Sequence, residues 1–166
     1  ALTIGTFDGV HLGHQAVITE LRRQAGARSL PPVVITFIHH PSSVIGGETP
    51  PFIIPLARRL ELLASLGLEA ALVIPFDQAL AGRAPEEFVR DCLWDSLKVR
   101  LIVVGHDFRF GAGGRGDAAL LAALGGSLGM EVMAVPPVMV DGIVVSSTAI
   151  RWALAAGDVV AARRYM

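Results

Sequence analysis

The chain has 166 residues, 52% of them apolar and 17% charged, with a formal net charge of −1. That length can bury one good core and fits a single domain over residues 1–166, and near-neutrality gives no electrostatic footprint for a nucleic-acid partner. Its longest apolar runs, such as Val33 to Ile38 and Leu101 to Val104, are strand-length and far below the ~18 residues a membrane span requires. No basic stretch precedes an apolar segment with a small-residue cleavage site, and the one cysteine, Cys92, excludes an internal disulfide. A cytoplasmic domain without membrane association is the expectation. The only lysine is Lys98, and no Gly-Lys-Ser/Thr run exists, which excludes P-loop chemistry.

In chain order, strands are expected at Leu2 to Thr6, Val33 to Phe37, Ala71 to Ile74, Leu101 to Val104 and Val132 to Val135. Each is rich in Val, Ile or Leu with little polar alternation, the pattern of strands covered on both faces. Helices are expected between them, roughly at His14 to Ala25, Pro55 to Leu66, Pro85 to Leu97 and Asp117 to Leu128. Pro55 and Pro85 suit first turns, and Gly67 and Gly129 sit where helices stop. Alternation of this kind implies an α/β fold, a Rossmann-like doubly wound parallel sheet of five strands. After Pro136-Pro137 the rhythm changes to a small β/helical extension. A short strand pair around Val138 to Val145, turning at Asp141-Gly142, leads into a helix from Ser147 to Ala156, and another helix starts near Asp158.

Ligands of such sheets bind at the carboxyl ends of the strands. Directly after the first strand comes Gly5-Thr6-Phe7-Asp8-Gly9-Val10-His11-Leu12-Gly13-His14. Its glycines allow a tight turn, and a helix N-terminus with two histidines three residues apart offers donors to a polyphosphate. The rival readings are an ordinary strand-to-helix turn and, from the His-x-x-His spacing, a zinc site. Ser146-Ser147-Thr148 opens the last long helix; hydroxyls there are ordinary capping chemistry, but Arg151 one turn on could pair with two phosphate oxygens. Two helix starts could thus grip a triphosphate from opposite sides.

Following the fourth strand, Gly105-His106-Asp107-Phe108-Arg109-Phe110-Gly111 leads into a glycine-rich stretch. Gly111 to Gly116 formally matches G-x-G-x-x-G, but begins several residues past the strand end, so the dinucleotide reading is rejected. Asp107 and Arg109 remain candidates for nucleotide contacts, with a mobile glycine loop as the alternative. His39-His40-Pro41 after the second strand could frame a planar ligand; a core aromatic, Phe37, beside a turn explains that segment equally well.

Together these motifs resemble the adenylyltransferase module of the bacterial bifunctional riboflavin kinase/FMN adenylyltransferases, within the HxGH nucleotidyltransferases. TIGTFDGVHLGH, VVGHDFRFGAGGRGD and VSSTAIR are similar to that family's three signatures and stand in the same order. The resemblance implies transfer of AMP from ATP to FMN, giving FAD and pyrophosphate, with Mg²⁺ accompanying ATP. It implies His11, His14 and Arg151 as the catalytic set at the phosphates. Gly5, Phe7, Asp8, Gly9, Gly105, Asp107, Arg109, Ser146, Ser147 and Thr148 would surround ATP, and His40 and Pro41 would lie towards the flavin. His39 stands where the family has a proline, and the short leader the family carries is missing. The chain also reaches Met166 where a riboflavin kinase domain would follow, so a fragment or a single-module enzyme is expected. The alternatives are a transferase of the same fold with another phosphate acceptor, and a non-catalytic flavin or nucleotide-binding module.

Overall fold

Runs of Val, Ile and Leu form five parallel strands: β1 (Leu2–Ile4), β2 (Val33–Phe37), β3 (Ala70–Ile74), β4 (Leu101–Gly105) and β5 (Glu131–Val135). The structure is a computed structural model that describes residues 1–46 and 49–166. The strand order is β3-β2-β1-β4-β5, a doubly wound α/β sheet. The expected strands all form, although β1 stops at Ile4. Gly5 N–H still bonds the Ile35 carbonyl at 3.1 Å, but at Phe7 the backbone turns to φ 51° and leaves the sheet.

Side-chain alternation divides the core between the two faces of the sheet. Leu2, Ile4, Ile102 and Val104 point to one face and are buried with Val89, Leu93 and Leu121. Leu101 and Val103 point to the other and are buried with Val17 and Leu21 of α1 (Leu12–Ala27). The expectation that every strand is covered on both faces fails at β3. It is an edge strand, and Ala70, Ala71 and Leu72 are exposed.

The connecting helices are α2 (Ser42–Ile45), α3 (Leu56–Ser65), α4 (Gln78–Ala81), α5 (Pro85–Glu87) and α6 (Ala118–Ser127). The short α2 and α4 lie outside the expected helices, and α4 is set by Asp77 accepting from Leu80 N–H at 2.8 Å. The expected helix over 85–97 forms, but beyond α5 it is π-wound from Phe88–Ser96, with Leu97 N–H reaching back five residues to Cys92. The wider turn keeps Val89 and Leu93 on one face, both buried in the core. The extension consists of the hairpin β6 (Met139–Val140) and β7 (Ile143–Val144), then α7 (Ser147–Ala155) and α8 (Val159–Tyr165). Asp141 (φ 51°) and Gly142 (φ 78°) make the left-handed two-residue turn that matches strand twist.

Leu93 is fully buried between the π-wound helix and the sheet. Leu93→Ala is expected to lower unfolding free energy by about 2–5 kcal/mol, the cost of a core cavity, as read by urea denaturation.

Candidate active site

β1 continues through α1 to β2 on one side, while β4 pairs with β1 on the other. The carboxyl ends of β1 and β4 therefore flank the crevice where strand order reverses. The loop entering α1 is bent to fit it. Phe7 (φ 51°), Gly9 (φ 83°) and Val10 (φ 45°) all take left-handed backbone conformations. For Phe7 and Val10 this strain is on the order of 1–3 kcal/mol each. It is offset by burying both side chains with Ile18, Val34 and Leu63.

That bend sets His11 as the N-cap of α1. Its Nδ1 accepts from His14 N–H at 3.3 Å, and the two rings stack with centroids 3.6 Å apart. With Nδ1 accepting, the neutral ring carries its proton on Nε2 and can donate from there. The close approach depends on Gly13, where a Cβ would lie 3.1 Å from the His11 ring and 3.4 Å from the Val145 carbonyl.

The crevice holds a cavity of about 430 Å³. Its walls bring together Gly5, Phe7, Asp8, His11, His14, His40, Gly105, Asp107, Ser146, Ser147, Thr148 and Arg151, from four sequence-distant segments of the candidate set. Gly9 is not on the wall of this cavity and, at φ 83°, serves the turn. Arg109 lies away from this cavity, 3.6 Å from the Asp117 carboxylate. Both histidines are held neutral. Burial is the main reason the His11 ring is lowered to about 4, with Arg151 lowering it further against the opposing pull of Asp107 and Asp8. Burial likewise depresses His14 well below its ordinary value, reinforced by His11 and Arg59. His40, hydrogen-bonded to Ser42 Oγ at 2.7 Å, is lowered too, chiefly by burial.

Asp8 is only 1% exposed. Its carboxylate accepts from Ile53 N–H at 2.9 and 3.0 Å, from Ile54 N–H at 3.3 Å and from Arg151 Nη2 at 2.5 Å. Arg151 Nε donates to the Pro51 carbonyl at 3.0 Å, and the Ser147 hydroxyl donates to the Asp8 carbonyl at 2.9 Å. Asp8 thus ties the first loop, the segment before α3 and the start of α7 into one wall. Ser146, the N-cap of α7, accepts from Ala149 N–H at 3.1 Å.

A second cavity of about 220 Å³ adjoins the first and shares Ile4, Gly5, Thr6 and Phe108 with it. Phe37, Phe76, Phe88, Phe108 and Phe110 line it, with Pro41 and Arg109 at its wall. Of the candidate residues, His40 thus lines the polar cavity, whereas Pro41 and Arg109 line this aromatic slot. Phe76 and Phe88 carried no signal in the sequence, since only the crossovers bring them beside Phe37. Arg59, buried behind the first loop, also escaped notice.

A doubly wound sheet with a histidine-bearing helix start at its switch point defines an HxGH nucleotidyltransferase fold. The family model described as FAD synthetase matches residues 1–149, and the chain belongs to that family. It is 37% identical over 155 residues to the bifunctional riboflavin kinase/FMN adenylyltransferase of Escherichia coli K12, covering 93% of this chain and 50% of that protein. Against the protein of the same name from Pseudomonas fluorescens, identity is 40% over 164 residues, 99% of this chain and 53% of the relative. The chain thus spans about half the length of the curated relatives it matches. A solved Streptococcus pneumoniae structure described as a macrolide-efflux protein superposes with a TM-score of 0.90 at 30% identity, over 99% of this chain and 55% of that one. Among the described residues, no helix is long and apolar enough to cross a membrane. Pantothenate synthetase from Thermus thermophilus shares the fold, with a TM-score of 0.60 at 17% identity over 98% of this chain and 73% of that one.

Removing one partner of a buried ion pair strands the other, so Asp8→Ala is expected to cost about 3–5 kcal/mol in urea unfolding. The histidines bind fewer protons folded than unfolded, so their neutral burial contributes stability above pH 6.5 that is lost as pH falls towards about 4. Unfolding free energy measured between pH 7 and 4.5 should therefore decline, and less steeply in His11→Asn.

Proposed function

We propose that this chain transfers AMP from ATP to FMN, producing FAD and pyrophosphate. The observation that carries the reading is the pair of adjoining cavities. One is polar, with the His11–His14 helix start and the Ser146–Arg151 helix start on its walls; the other is lined by five phenylalanines and suits a planar apolar ring. FMN needs both environments, an apolar one for its ring system and a polar one for its phosphate, and the shared wall at Gly5 and Thr6 is where they meet. The bifunctional relatives are named for two activities, and the FAD synthetase match over residues 1–149 supports the transferase as the one this chain carries.

In this reading a phosphate oxygen of FMN attacks the α-phosphorus of ATP. The new phosphorus–oxygen bond forms as the bond to the bridging α–β oxygen breaks, and that oxygen leaves with pyrophosphate. The nucleophile arrives already ionised, so no protein nucleophile is required and catalysis consists of positioning and charge stabilisation. His11, donating from Nε2, and His14 stabilise the phosphates as neutral donors in a site shielded from water. Ser147, Thr148 and the remaining guanidinium nitrogen of Arg151, joined to the first loop through Asp8, would add donors beside them, with Gly5, Phe7, Gly105 and Asp107 around the nucleotide. Mg²⁺ enters with ATP. Much of its coordination would come from the polyphosphate oxygens of the substrate.

Incubation of the protein with ATP, Mg²⁺ and FMN should yield FAD and pyrophosphate, resolved by chromatography. His11→Ala and His14→Ala should each lower kcat by about 10²–10³, the range for losing one transition-state donor, while staying folded. Wild-type rates in both variants would overturn the assignment.

A further inference from the structure

Arg59, on α3, is completely buried, a costly place for a guanidinium. Its Nη1 donates to the Thr6 carbonyl at 2.5 Å and its Nη2 to the Phe37 carbonyl at 3.1 Å. Thr36 Oγ1 lies 3.5 Å from Nη1 and itself donates to the Thr6 carbonyl at 3.0 Å. The Phe52 ring covers the guanidinium, its centroid 4.9 Å from Cζ. One side chain therefore fastens the exit of β1 to the exit of β2, directly behind the strained turn that carries His11 and His14. Stability alone does not call for an ion here, because well-packed apolar residues often replace buried ions at no cost. The arginine instead serves the geometry of the loop in front of it.

We propose that Arg59 is a positioning residue of the adenylyl transfer, holding the Thr6 carbonyl against the end of β2 so that the His11–His14 pair stays registered on the phosphate cavity. This rests on the reading that the cavity handles ATP. A left-handed Phe7 follows Thr6 immediately, so a Thr6 carbonyl released from its anchor lets the turn relax towards ordinary backbone and carries the histidines with it. Arg59 also adds to the fields around the pair. Asp8 in the first loop, Asp107 after β4 and Arg151 on α7 act on His11; Arg151, Asp8 and Arg59 act on His40 after β2; His11 and Arg59 act on His14. A fixed positive charge behind His14 disfavours its protonation and keeps it a neutral donor.

The test compares Arg59→Met, which keeps the stem but loses charge and donors, with Arg59→Lys, which restores both in part. In the FAD-forming assay, Arg59→Met should lose on the order of ten- to a hundred-fold in kcat with each KM within about three-fold, the signature of misplaced reacting groups. Arg59→Lys should recover most of that loss. Unchanged kcat in folded Arg59→Met, or a lysine variant no better than methionine, overturns the proposal. If Arg59→Met does not fold, Phe52→Leu carries the test: loosening the guanidinium without removing a hydrogen bond should lower kcat about three-fold at unchanged KM for ATP, and no change overturns it. A readout independent of turnover is the His14 ring, followed by NMR titration. It should protonate at higher pH in Arg59→Met than in the wild type, and an identical titration argues against Arg59 acting on it. A wild type that forms no FAD would sink the transferase reading and leave that titration to decide whether Arg59 acts on the histidine.

Discussion

A carboxylate removed from water must be matched by donors, and Asp8 meets that demand with groups from two distant parts of the chain. The Ile53 and Ile54 amides come from the segment before α3, and the Arg151 guanidinium comes from α7, 143 positions away in sequence. Satisfying one buried charge therefore brings the first loop, the approach to α3 and the last long helix into register. The polar cavity exists because those three segments meet. Arg151 reaches its wall already oriented by Asp8 and Pro51, so its direction is fixed before any ligand arrives.

The same loop stores strain. Two non-glycine residues adopt left-handed backbone, and they persist because their side chains are anchored in the core beside Ile18, Val34 and Leu63. The result is a histidine pair stacked at a helix start, neutral because it is buried. Neutral imidazoles act on phosphate through directed N–H groups, aided by the positive end of the helix, and their strength comes from exclusion of water more than from net charge. In the proposed role, a chain of net charge −1 would thus present a phosphate site without a basic surface.

Polarity is partitioned across β1. On one side of Gly5 and Thr6 lie hydroxyls, histidines and an arginine; on the other lie phenylalanines from β2, the loop after β3, the π-wound helix and the loop after β4. In the proposed reaction, an acceptor with an apolar ring and an anionic tail would span that boundary in one orientation only, which would place its phosphate beside the nucleotide. Specificity and orientation then share one physical origin, the cost of desolvating the anionic end in the aromatic slot.

Much of this was determined locally. Strand composition and the spacing of glycines and prolines gave the five strands, the long crossovers and the hairpin turn at Asp141-Gly142, because these follow from periodicity and backbone preference. The histidine-bearing helix start was likewise legible, since glycines and histidines lie within ten residues of one another. The sequence could not show that β3 forms an exposed edge, that the helix after Pro85 winds wider, or that Arg109 faces the aromatic slot. Those outcomes depend on strand order and on neighbours far away in the chain. Arg59 and Asp8 make the distinction sharpest. In sequence one is an arginine on an amphipathic helix and the other an acid in a glycine-rich turn. Only tertiary burial, by withdrawing water from both, obliges them to take partners across the fold and so to hold the site together.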